Sequence, residues 1–169
     1  VVYLISRNRE VSTNYLQAIE RAIRDVQSWY GRQLDGPTFK LHEPVVEIAR
    51  SAQPADWFSN HPNGPNSDDW GFNNTFAEAS RLLGASLKDP HHIWVVYSAG
   101  PGDKGRNRLG VICLPEDDLL GLVGKHPIQK NPRRWVGGLA RELAYCLGLS
   151  GPVDVVADAD AITWTGFLE

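Results

Sequence analysis

Three residues on one short segment have side chains that could do chemistry together. In GGLARELAYCLGLSG, residues 137–151, Glu142 offers a carboxylate suited to general-base work, Tyr145 a phenol suited to proton transfer, and Arg141 a guanidinium suited to holding an anion. A helix would gather them. Gly138, Arg141, Glu142 and Tyr145 fall at i, i+3, i+4 and i+7, while Trp135, Val136, Leu139, Ala140, Leu143, Cys146 and Leu147 cover a wide apolar face. Asn131 is the expected cap of this helix, with Pro132 in the first turn, where its missing N–H costs nothing, and the helix is expected to run to about Leu147.

Written out, the segment from Arg141 is R-E-L-A-Y-C-L-G-L-S-G. It resembles H-E-x-x-H-x-x-G-x-x-H, the zinc signature of the metzincin metalloproteases, with the metal ligands replaced. The resemblance puts Glu142 at the general-base position, Gly148 at the turn glycine, and Arg141, Tyr145 and Gly151 at the three former metal-ligand positions. DADAITWTGF, residues 158–167, resembles the segment around the family's Met-turn, with Thr163 at the methionine position.

The resemblance implies a zincin-like fold and the loss of its reaction. A catalytic zinc needs about three protein ligands with free lone pairs and one open position for water. Arg141 has five donors and no acceptor, Tyr145 could bind only as a phenolate, and Gly151 has no side chain. Without acidified water, Glu142 has nothing to deprotonate. The expectation is a pseudoenzyme with no metal and no cofactor, serving as a peptide-binding or protein-binding scaffold. Two other readings stand beside it: a working peptidase, metal-dependent or metal-free, that uses Glu142 and Tyr145, and an accessory domain of a larger secreted toxin, adhesin or lectin-type protein.

Other combinations carry less chemistry. The histidines His42, His61, His91, His92 and His126 include no i, i+4 pair, and surface or capping roles are expected of them. Asp154, Asp158 and Asp160 lack the glycine and closing Glu of an EF-hand loop. Ser12, Ser80 and Ser98 lack nucleophile-elbow glycines, and Asn73-Asn74-Thr75 is a formal sequon at the start of an expected helix. Cys113 and Cys146 are compatible with a disulfide or with two buried thiols.

The elements that must position the site follow from periodicity. Val1–Ile5 suits a buried strand, and the spacing of Tyr15, Ile19, Ile23, Val26 and Tyr30 predicts a helix over 11–34 that Ser12 or Thr13 could cap. Phe39, Leu41, Val46 and Ile48 suggest a strand with an irregularity at Pro44, and 51–68 reads as a long loop pinned by Trp57 and Phe58. A helix over 70–83 stops at Gly84, HHIWVVYSAG is the clearest strand, RLGVICLP is another, and EDDLLGLVG is a brief helix that Asp117 could cap. Strands interleaved with helices indicate an α/β (α+β) layer protein. By resemblance it is a mixed twisted sheet with an antiparallel edge strand, a long N-terminal helix and an active-site-type helix. The expected organisation is one domain over 1–169, with an N-terminal subdomain at 1–149 and the remnant of a C-terminal one at 150–169. Leu109–Leu114 is expected as the edge strand, where Gly110, Val111, Ile112, Cys113 and Leu114 could pair with an extended peptide.

Composition narrows the partners. Of 169 residues 42% are apolar and 22% charged, and the formal net charge is −3, which argues against nucleic acid. The basic stretches Lys104–Arg108 and Lys130–Arg134 read as solvated loops. No apolar run reaches the ~18–20 residues that cross a bilayer. The chain contains no methionine, so Val1 is read as a processed end or the edge of a longer chain, which leaves room for flanking domains. An extracellular or secreted setting is implied by the resemblance alone.

Overall fold

The computed structural model describes residues 1–36, 38–102 and 104–149. Strand β1 (Val2–Ile5) is buried at all four positions, as a strand paired on both sides and covered on both faces must be. Helix α1 (Thr13–Gln33) starts where Ser12 Oγ accepts the Tyr15 N–H at 3.3 Å. Its inner stripe of Ile19, Ile23, Val26 and Tyr30 is buried, as the spacing predicts. Strand β2 (Glu47–Arg50) is shorter than the expected run from Phe39 and begins beyond Pro44, which has no N–H to give a ladder.

The long loop expected at 51–68 contains structure of its own: helix α2 (Trp57–Asn60) and a 3₁₀ turn at Ser67–Asp69. Phe58 does pin it, at 1% exposure, and the buried Asn74 amide donates to the Phe58 and His61 carbonyls at 3.0 and 2.9 Å. Helix α3 (Trp70–Leu83) ends at Gly84, whose φ of 75° is left-handed. Strand β3 (Trp94–Ser98), strand β4 (Arg106–Arg108) and strand β5 (Val111–Leu114) complete a five-stranded sheet in the order β2-β1-β3-β5-β4. All neighbours are parallel except β4, which runs antiparallel to β5.

This order corrects the expected edge. Gly110, Val111, Ile112, Cys113 and Leu114 do not form it: β5 is held between β3 and β4, and its four residues are buried. The edge is β4, inside a stretch read as a solvated loop. No sequence pattern signals this strand, because its hairpin turn, Leu109-Gly110, uses φ of 47° and 88°, a left-handed pair that Asn-Gly normally signals.

Alternation sorts the core into two layers. Tyr3, Ile5, Val95, Tyr97, Ile112 and Leu114 face α1 and the two C-terminal helices; Val2, Leu4, Val96, Val111 and Cys113 face α2 and α3. Each large apolar side chain so buried contributes about 1.5–3 kcal/mol. Helix α4 (Glu116–Leu122) is preceded by Pro115 as its cap residue, not by Asp117, which lies inside the first turn. Helix α5 (Pro132–Cys146) is capped by Asn131, whose side chain accepts from the Arg133 N–H at 3.2 Å. Two contacts fix its position. The Tyr30 hydroxyl donates to the Ala140 carbonyl at 2.8 Å, and the Trp135 ring lies where any Cβ on Gly121 would sit, 2.1 Å away.

Candidate functional site

Helix α5 delivers Arg141, Glu142 and Tyr145 to the same place, as the spacing predicts, but at different depths. Glu142 is buried at 7% exposure, while Arg141 and Tyr145 are exposed, Tyr145 by 46%. The depth follows from the apolar face: Leu139 and Leu143 dock on the sheet, and Glu142 is carried partly under it. Both of its oxygens accept hydrogen bonds. Oε1 accepts from Arg141 Nη2 at 3.1 Å, and Oε2 accepts a short hydrogen bond from the Asn107 side chain on β4. Burying a polar side chain costs least when donors of this kind replace its water.

The open side of β4 and the exposed face of α5 enclose a hollow of about 400 Å³, lined by Asp69, Phe72, Arg106, Arg108, Glu142 and Tyr145 among others. β4 alternates across it. Asn107 turns toward α5, whereas Arg106 lies 3.6 Å from the Asp69 carboxylate and Arg108 sits over the Phe72 ring, 4.9 Å from its centroid. The hollow therefore has a carboxylate–guanidinium pair on its α5 side and two arginines on its α3 side.

Behind Glu142 lies a second acid that the sequence did not reveal. Asp118 on α4 is buried, and desolvation, with smaller repulsions from Asp117 and Glu142, pushes its carboxyl up to about 7. The run Glu116-Asp117-Asp118 looks like an ordinary acidic helix start. The signal available was spacing: Asp118 stands four residues before Leu122 and beside Leu119, both core residues. Asp118 also helps raise the hydroxyl of the buried Tyr97, although burial is the larger cause there.

The remaining expectations fall as follows. His91 and His92 are exposed, and Asp89 accepts from both of their backbone N–H groups, at 2.9 and 3.1 Å. His126 Nδ1 accepts the Gln129 N–H at 2.9 Å, a loop-capping role. Cys113 and Cys146 are free thiols that pack against opposite faces of the sheet. Asn73 of the formal sequon is partly buried in α3 and donates to the Asn63 carbonyl at 2.6 Å, and Thr75 is buried. Gly148 has a φ of 71°, the left-handed turn expected at the end of the motif helix. Gly151, Thr163, Asp154, Asp158 and Asp160 lie outside the described residues. Among the described residues, no group of three or more His, Cys, Asp and Glu side chains could hold a metal ion, and no helix is long and apolar enough to cross a membrane.

Glu142 directs one oxygen at its own neighbour Arg141 and the other at Asn107 on β4. Around it the hollow presents a strand edge, the Tyr145 phenol and the guanidinium groups of Arg106 and Arg108. No family model, no curated protein and no solved structure matches the chain.

Proposed function

We propose that this chain is a catalytically inactive domain similar to the metzincins, a pseudoenzyme that binds an extended peptide or protein segment in the cleft between β4 and α5. One observation carries the reading. Arg141, at a position where the resemblance requires a metal ligand, places its guanidinium 3.1 Å from the carboxylate at the general-base position. A guanidinium has no lone pair for a cation and repels one electrostatically, so Arg141 supplies the positive charge that a zinc ion would otherwise bring beside Glu142. The succession of strand, long helix, strand, two helices, strand, antiparallel edge strand, inner strand, short helix and motif helix supports the likeness.

Binding would use the sheet edge. Among the described residues no strand lies outside β4, so its outward backbone groups are available to pair with an added strand. Hydrogen exchange followed with a pool of blocked, extended heptapeptides tests this directly. Slowed exchange at Arg106–Arg108 is the expected result; unchanged exchange with every peptide in the pool would overturn the reading.

A further inference from the structure

The two arginines of β4 share a face of the strand but meet different partners. Arg106 has the Asp69 carboxylate at 3.6 Å. Arg108 has the face of Phe72, 4.9 Å from the ring centroid, and among the described residues no carboxylate forms an ion pair with it. Stacking occupies the flat side of a guanidinium, whereas its N–H donors all lie in its plane and point outward from the rim. The guanidinium lies over the ring, and Arg108 lines the hollow. Arg141 is already matched to Glu142, which makes Arg108 the cation of this hollow with unspent charge.

We infer that the cleft selects an acidic side chain in the segment it binds, and that Arg108, pinned on Phe72, is the residue that reads it. This rests on β4 being the docking edge. A strand added there would present every second side chain to the α3 side, opposite Arg106 and Arg108. A carboxylate reaching Arg108 would gain a two-pronged, charge-assisted pair with a guanidinium already held against the Phe72 ring. One reaching Arg106 would meet Asp69 as a competitor and gain less. Lys104, which lines the adjoining hollow together with Arg106, adds to the positive potential along the strand.

The test is fluorescence anisotropy with two labelled, blocked heptapeptides, Thr-Val-Thr-Asp-Thr-Val-Thr and its twin with a central Asn, titrated with wild type, Arg108→Gln and Arg108→Lys. The Asp peptide is expected to bind wild type about tenfold more tightly at low salt, with the preference falling as salt rises. Arg108→Gln should erase the preference, and Arg108→Lys, which keeps the charge without the fork, should retain part of it. Arg108 is exposed, so each variant is expected to give the wild-type circular dichroism spectrum. Equal affinity for both peptides would overturn the acidic preference while leaving the docking edge intact. Binding of neither would overturn both, and a preference unchanged in Arg108→Gln would remove the role of that residue.

Discussion

Glu142 shows how one buried carboxylate can be made structural. Its two oxygens are taken by Asn107 and Arg141, and each donor comes from a different element, so the carboxylate ties the edge strand to the motif helix. Replacing Glu142 with Ala leaves the part-buried Asn107 amide without its acceptor, and urea unfolding is expected to register a loss of about 1–3 kcal/mol. Asp118 makes the opposite contribution. Because its carboxyl titrates at about 7 in the folded chain and near 3.8 ordinarily, the native state holds a proton that the unfolded chain has released. The resulting stability is fully present below about pH 4 and is lost as pH rises through 7. Between pH 5 and pH 8 wild type should therefore lose roughly 2–3 kcal/mol more than Asp118→Asn in chemical unfolding, and parallel curves for the two would contradict the assigned burial. Arg141, Glu142 and Tyr145 were readable as a group because helical spacing alone fixes which residues share a face. Asp118 was not, because an acid in a first turn looks the same whether it meets water or a sheet.

At the level of elements, the positions that mattered most for the site were the ones with the quietest signals. The β4–β5 hairpin turns on Leu109, a branched residue at φ 47° and 52% exposed, where the sequence gives no turn residue ahead of Gly110. Leu109→Asn should relieve that conformation and stabilise the fold by about 0.5–1 kcal/mol, read as a raised melting temperature. The helices were easier, because Ser12, Asn131 and Gly84 stand where caps and stops belong. The α4–α5 junction is a case where only packing shows the constraint. Gly121 admits Trp135 so closely that a methyl group would overlap the indole, and Gly121→Ala is expected to cost about 1–3 kcal/mol and to alter the near-ultraviolet dichroism of the tryptophan.

Across the whole molecule, a sheet covered on both faces holds one antiparallel strand at its margin, and the motif helix runs beside that margin. Periodicity marks four of the five strands and their alternation with helices, whereas β4 and its place at the edge depend on a pairing that no local pattern specifies. The cleft is a consequence of that pairing: its floor comes from α5, its wall from β4, and its far side from Asp69 and Phe72, residues well upstream of the motif helix. Within this architecture Arg141 places a positive charge beside the Glu142 carboxylate, and the proposed loss of metal-dependent catalysis depends on that pairing standing where a zinc ion would otherwise sit. The most direct test is to purify the chain from zinc-supplemented culture, measure bound zinc by elemental analysis, and follow peptide cleavage with and without a chelator. The expected result is far less than one zinc per chain and no cleavage under either condition. One zinc per chain, together with cleavage that the chelator abolishes, would contradict it.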